Sequence, residues 1–144
     1  MNQVTIRTAK LEDAKDIAKL SLQMDHDMTE EEARERLENI LKDNTQVLLA
    51  AEVDGKVMGY NSVSASYELL NGVQARIEGL VVDESTRGLG LGRKLMERAE
   101  EWAKEKGSKS MKLPTNVKRI EAHKFYEKIG YTKTREQIAY KKIL

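Results

Sequence analysis

Residues 75–96 read A-R-I-E-G-L-V-V-D-E-S-T-R-G-L-G-L-G-R-K-L-M, and this stretch constrains the fold more than any other. Residues 77–82 are apolar and β-branched, which predicts a strand. From Gly90 to about residue 106 the apolar spacing predicts a helix. Between them lies Arg87-Gly88-Leu89-Gly90-Leu91-Gly92. A strand that feeds a glycine-rich turn opening a helix is built to hold phosphate. The first helical turn offers unpaired N–H groups and the positive end of the helix dipole. Glycine lets the backbone approach an anion because no Cβ intervenes.

Several phosphate loops share this physics. A Walker loop requires Gly-Lys followed by a hydroxyl residue, and Gly92 is followed instead by Arg93-Lys94-Leu95. A dinucleotide loop requires G-x-G-x-x-G, and Arg93 stands where its third glycine belongs. The pattern Arg/Gln-x-x-Gly-x-Gly/Ala fits as Arg87, Gly90 and Gly92. With residues 77–82 ahead of it, this segment resembles the acetyl-coenzyme A signature of the GNAT superfamily of N-acetyltransferases. The bland alternative is a helix start with spare glycines, which would lower helix propensity without return.

The chain has 144 residues, which suggests one domain spanning 1–144. It has no Cys and two His, His26 and His123, so disulfides, thiolate chemistry and a His-rich metal site are not expected. No apolar run approaches membrane length, and a cytoplasmic protein is expected. Residues 1–72 carry 8 Lys/Arg and 14 Asp/Glu, a balance of −6. Residues 73–144 carry 17 and 10, a balance of +7. A basic half suits a phosphate-bearing cofactor, and an acidic half suits a cationic acceptor. An unevenly charged solvated surface is the bland reading. Nucleic acid is disfavoured, because Glu97, Glu100, Glu101, Glu121 and Glu127 interrupt the basic residues and aromatics are few.

Other segments supply the elements around the glycine loop. Residues 4–7 alternate as a strand, and Leu11, Ala14, Ile17, Ala18 and Leu20 mark a first amphipathic helix. Thr29 and Glu32 form a capping box for a second helix with Ala33, Leu37, Ile40 and Leu41 as its buried stripe. Residues 46–53 and 57–66 form a hairpin across Asp54-Gly55. Residues 67–72 make a longer turn into the central strand. Leu91, Leu95, Ala99, Trp102 and Ala103 line one face of the third helix, which Gly107 ends. Residues 108–113 are a strand, and Pro114 belongs at its end or beside a gap. A fourth helix covers about 117–129, closed by Gly130, and 131–144 supplies one or two last strands.

The resulting order, β-α-α-β-β-β-α-β-α-β, is that of the GNAT fold, an α/β mixed sheet. A second segment, Glu121-Ala122-His123-Lys124-Phe125-Tyr126-Glu127-Lys128-Ile129-Gly130-Tyr131, resembles the family's A-x-x-F/L-Y-E-K-x-G-F/Y motif. The family often has Asn three residues before that Ala. Here the position is Arg119, with Asn116 earlier, so Asn116 is either a pantetheine contact or a cap for the fourth helix.

The resemblance implies acetyl transfer from acetyl-coenzyme A to a primary amine, with no metal. The N–H groups of Gly88, Leu89, Gly90, Leu91, Gly92 and Arg93 would face the pyrophosphate. The pantetheine arm would lie beside the strand ending at Val82, and a backbone N–H near Leu80, Val81 or Val82 would polarise the thioester carbonyl. Glu78 is the only carboxylate in the central strand and a candidate general base. Its bland alternative is a solvent-facing carboxylate paired with Arg76. Tyr126 matches the family's proton donor to the departing thiolate, and its bland alternative is an amphipathic core residue. No activated nucleophile is visible, so direct transfer in a ternary complex is expected. Asp25 and Asp27 precede the Thr29 cap, and a helix N-terminus does not explain them. They are candidate acceptor-binding residues for a cationic small-molecule or peptide amine. Two alternatives are an aminoglycoside-type acetyltransferase and a non-catalytic acyl-coenzyme A sensor. A homodimer is compatible with each.

Overall fold

The structure is a computed structural model and describes residues 2–144. Its described residues form two compact units, one ending at Leu113 and one running from Pro114 to Leu144. In the first unit the order is β1 (Val4–Thr8), α1 (Ala14–Ser21), α2 (Glu30–Leu41), β2 (Gln46–Val53), β3 (Lys56–Glu68), β4 (Gly72–Val82), α3 (Leu91–Glu105) and β5 (Met111–Lys112). Short 3-10 turns occupy Leu11–Asp13, Leu22–Met24 and Glu84–Thr86. The second unit holds α4 (Ile120–Lys128). Among the described residues no helix is long and apolar enough to cross a membrane.

The sheet order is β1-β2-β3-β4-β5. The first four strands run antiparallel, and β5 lies parallel to β4. The β2–β3 hairpin turns on Asp54 (φ 49°) and Gly55 (φ 86°), the paired positive φ values that an Asp-Gly turn favours because they follow the strand twist. Thr29 Oγ1 accepts from the Glu32 N–H at 3.0 Å and Glu32 Oε1 accepts from the Thr29 N–H at 3.1 Å, so the capping box starts α2 as expected.

Core packing follows the helix stripes. Ala14, Ile17, Ala18 and Leu20 of α1 and Ala33 and Leu37 of α2 are buried with Leu48, Ala50, Val57, Tyr60 and Val81 of the sheet. Leu41 departs from its expected place and is 44% exposed, beyond the width of the stripe at the last helical position. All five expected residues of α3 are buried, with Met96 beside them. Gly107 (φ 90°) closes α3 by a Schellman pair, Ser108 N–H to Ala103 O and Gly107 N–H to Lys104 O, both 3.0 Å.

Several strands differ from expectation. β4 begins at Gly72, and β3 runs on to Glu68, because Gly72-Val73-Gln74-Ala75-Arg76 pairs with β3 despite its polar residues. β5 shrinks to two residues because side chains replace the ladder before it. Ser108 Oγ accepts from the Ala75 N–H at 3.0 Å, and Gln74 Nε2 donates to Ser110 O at 3.2 Å. The strands expected in residues 131–144 do not form. The second unit contains one helix and no strand to offer a ladder, and Ile138, Tyr140, Ile143 and Leu144 are exposed. A strand without a paired neighbour or a buried face is not stable.

Candidate active site

β4 carries the site, and two irregularities make it accessible. The first is a bulge. Ser62 and Val63 are neighbours on β3, but they face Gly79 and Ile77. Glu78 is the extra residue, with no partner on β3, and its side chain is exposed. Bulges re-aim side chains and sharpen local twist. The second irregularity is a splayed edge. β5 pairs with β4 only at Ala75↔Met111 and Arg76↔Lys112. Among the described residues no strand pairs with that side of β4 from Ile77 to Val82, so its backbone donors and acceptors form an open edge of the kind an extended ligand can join. Pro114 follows β5 by two residues, consistent with its expected place past a strand end.

Beyond Val82 the chain turns through Asp83, which caps the next turn by accepting from the Ser85 N–H at 2.9 Å and the Ser85 hydroxyl at 2.6 Å. The Ser85 hydroxyl and N–H, joined by Gln23, hold the Asp83 carboxyl below the usual carboxylate range. The glycine loop comes next. Gly88 (φ 89°) and Gly90 (φ 70°) take left-handed backbone, and a Cβ at either would meet nothing within 4 Å. The space over the loop is open, which fits a bulky phosphate group. The N–H groups of Arg87 and Leu89 turn inward to Glu84 O and Thr86 O, each at 3.3 Å. The first α3 bond comes from Lys94 N–H to Gly90 O. Among the described residues, this leaves the N–H groups of Gly88, Gly90, Leu91, Gly92 and Arg93 for a ligand. Leu89, expected among them, contributes no free donor.

The segment after α1 joins this strand. Met24 Cε lies 3.5 Å from the position a Cβ would take at Gly79, and Gln23 Nε2 donates to Asp83 Oδ2 at 3.0 Å. Asp25 follows in left-handed backbone (φ 56°). Asp25 and Asp27 are exposed, and among the described residues neither enters an ion pair. The structure therefore brings the Asp25 segment, Glu78, Leu80–Val82 and the glycine loop into one unit. Behind the segment, Ser21 Oγ and Tyr60 Oη are 2.7 Å apart and buried, which fixes the end of α1.

The Glu78–Arg76 pairing considered as the bland alternative is absent. Arg76 pairs with Glu68 at 2.6 Å, and Glu78 Oε1 accepts from Ser64 Oγ at 2.6 Å. Sequence reading missed Ser64, Glu68, Gln23 and Met24. A polar row Ser62, Ser64, Ser66 on β3 was the available signal for a wet face opposite Glu78.

In the second unit, Tyr126 lies on α4 with Phe125 at 5.2 Å and Tyr131 at 6.0 Å between ring centroids. Burial raises its phenol above the usual value, partly offset by Arg119. Gly130 (φ 104°) ends α4, with the Tyr131 N–H bonded to Tyr126 O at 2.9 Å. Asn116 does not cap α4, whose N-cap is Arg119. Its Oδ1 accepts from the Lys118 N–H at 2.9 Å and its O lies 2.8 Å from His123 Nε2. This tight turn delays the helix to Ile120. Among the described residues no group of three His, Asp or Glu is arranged to hold a metal ion.

A family model described as acetyltransferase (GNAT) family matches residues 11–131. An aminoglycoside N(6')-acetyltransferase of Stenotrophomonas maltophilia is 26% identical over 140 residues, 94% of this chain and 90% of that protein. An aminoalkylphosphonate N-acetyltransferase of Salmonella typhimurium is 37% identical over 95 residues, 65% of this chain and 60% of that protein. Among solved structures, an aminoglycoside N-acetyltransferase, AAC(6')-Iy in complex with CoA, superposes with a TM-score of 0.88 at 22% identity over 99% of this chain and 96% of that one. Glucosamine-6-phosphate N-acetyltransferase from Arabidopsis thaliana superposes with a TM-score of 0.84 at 28% identity, covering 96% and 98%.

Proposed function

The chain belongs to the acetyltransferase (GNAT) family, and from that premise we propose that it transfers acetyl directly from acetyl-coenzyme A to a polycationic amine, with Glu78 as base and Tyr126 as acid. The chain is an acetyl-coenzyme A-dependent N-acetyltransferase that acts on an amine. The acceptor's charge and the residue roles are the proposal. So are a cytoplasmic setting and a homodimer, neither of which the mechanism requires. One observation carries the reading: an unpaired, exposed Glu78 bulges from a strand whose outer edge is open from Ile77.

Acetyl-coenzyme A supplies a thioester whose carbonyl carbon accepts attack by an amine. The free N–H groups from Gly88 to Arg93 would bind its pyrophosphate, with the exposed Arg87 and Arg93 side chains adding charge. The open edge at Leu80, Val81 and Val82 would hold the pantetheine arm, and one N–H there would stabilise the developing oxyanion. Glu78 would take the proton that the ammonium acceptor must lose, directly or through water. Tyr126, protonated because burial raises its phenol, would give a proton to the departing thiolate. Asn116 Nδ2 remains available for a pantetheine carbonyl, its Oδ1 being used internally.

Asp25 and Asp27 support a cationic acceptor, since they are exposed, enter no ion pair among the described residues, and follow directly on Met24, which packs against Gly79 of β4. Relatives named for aminoglycosides cover 80% and 94% of this chain, which makes aminoglycosides the first class to test. An aminoalkylphosphonate carries an anion that two aspartates would repel. The test is coenzyme A release with neamine, spermidine and aminoethylphosphonate. Neamine or spermidine should turn over faster than the phosphonate. With Asp25 and Asp27 both changed to Asn, the acceptor KM should rise and lose salt dependence, while the KM for acetyl-coenzyme A stays put. Preference for the phosphonate, or an unaltered acceptor KM, would sink the cationic assignment.

A further inference from the structure

The hydroxyl of Ser64 is not used in the mechanism above, yet it makes the one side-chain hydrogen bond of Glu78 among the described residues, 2.6 Å from Oγ to Oε1. An ionised carboxylate only accepts, so Ser64 donates. The bond length is that of a charge-assisted hydroxyl–carboxylate bond. Its location matters because Glu78 has no β3 partner. A bulged residue with a long, exposed side chain has several rotamers open to it. Ser64 faces Arg76 across the ladder, so the bond draws the Glu78 carboxylate back along β4. The nearest cation in sequence is diverted, since Arg76 pairs with Glu68 at 2.6 Å. A cation here would neutralise a base. A neutral hydroxyl restrains the carboxylate and leaves its charge in place.

We infer that Ser64 is a positioning residue for acetyl transfer, fixing Oε1 of Glu78 so that Oε2 is presented to the acceptor amine. This rests on the reading of Glu78 as the base. Ser64 touches neither reactant and acts only through Glu78.

The experiment is a double-mutant cycle on the full chain, with Ser64→Ala, Ser64→Thr, Glu78→Gln and the Ser64→Ala/Glu78→Gln pair. The acceptor is whichever of neamine, spermidine and aminoethylphosphonate gives the fastest coenzyme A release. Ser64→Ala should lower kcat roughly ten- to hundred-fold, with the KM for acetyl-coenzyme A and the Tm unchanged. Ser64→Thr, which keeps the hydroxyl, should restore most of the rate. The pair should be no slower than Glu78→Gln alone, because a residue acting through Glu78 has nothing left to position. Additive losses in the pair, or a wild-type rate for Ser64→Ala beside a slow Glu78→Gln, overturn this inference and leave the base reading intact. A wild-type rate for Glu78→Gln overturns both. A lowered Tm in Ser64→Ala that tracks its rate would reduce Ser64 to a structural contact.

Discussion

Gln23 reaches across 60 residues of sequence to Asp83, its Nε2 donating to Oδ2 at 3.0 Å. Asp83 starts the turn that leads to the glycine loop, and Gln23 starts the segment that carries Asp25 and Asp27. The segments proposed to bind the two substrates are thus tied at one point. Gln23→Ala removes an exposed hydrogen bond, which is worth about 0.5–1.5 kcal/mol. The acceptor KM should rise roughly three- to ten-fold, and initial rates at saturating acetyl-coenzyme A will show it. An unchanged acceptor KM would mean that Met24 against Gly79 suffices to hold the segment.

Gly90→Asp tests the loop. The left-handed φ of 70° is one that Asp tolerates better than most residues, so the fold should persist. The new carboxylate faces the free N–H groups and repels phosphate. Affinity for coenzyme A by calorimetry should fall at least about ten-fold, with circular dichroism unchanged. Equal affinity would remove the phosphate from this loop.

Tyr126→Phe deletes one hydroxyl and little volume. The kcat should drop roughly 10²- to 10⁴-fold while cofactor affinity holds. Burial raises the phenol, so the hydroxyl stays protonated through neutral and mildly alkaline pH. The rate ratio between wild type and variant should therefore be flat from about pH 6 to about pH 9. A wild-type kcat would leave Tyr126 as packing for Phe125 and Tyr131.

Gly59 is closely enclosed in the sheet. A Cβ there would sit 2.9 Å from the Val81 carbonyl oxygen, backbone that cannot rotate aside. Gly59→Ala should cost about 1–3 kcal/mol, read by urea denaturation. Because it displaces β4 at Val81, it should also weaken coenzyme A binding, unlike a core truncation in α2.

Arg7 links β1 to its neighbours through Asp13 at 2.7 Å and Glu52 at 3.0 Å. Burial pushes the Asp13 carboxyl up, but Arg7 and the Lys10 N–H outweigh it and hold it below the usual carboxylate range. A carboxyl so depressed stabilises the fold above its unfolded value of about 3.9, and the contribution is lost as pH falls through its folded value. Asp13→Asn should cost about 1.5–3 kcal/mol at neutral pH, and the difference should narrow progressively as the pH falls below about 3.9. A constant difference across that range would place the loss in packing.

Local chemistry was legible wherever one residue type satisfies a backbone need. Thr29 with Glu32, Asp54-Gly55, Gly107 and Gly130 each mark a boundary that the structure keeps. The glycine loop was legible for the same reason. What periodicity hides is any contact in which a side chain replaces the backbone. Ser108 and Gln74 take over the ladder before β5, and Asn116 takes the first turn expected of α4. The bulge at Glu78 is hidden too, because an extra residue in one strand leaves the apolar pattern of Ile77 and Val81 intact. Its partner Ser64 stands 14 residues away and is set by register alone.

The open side of β4 also bears on how the protein keeps. A strand edge with unsatisfied donors and acceptors is a template for any other extended chain, and proteins commonly cover or charge such edges. Here the exposed, bulged Glu78 guards one end of the edge, while Leu80, Val81 and Val82 beyond it are apolar. A co-substrate that pairs with this edge acts as a stopper against aggregation, and by mass action it stabilises the folded chain. The ligand-free enzyme should therefore cloud first on concentration or warming, and coenzyme A added in purification should delay it.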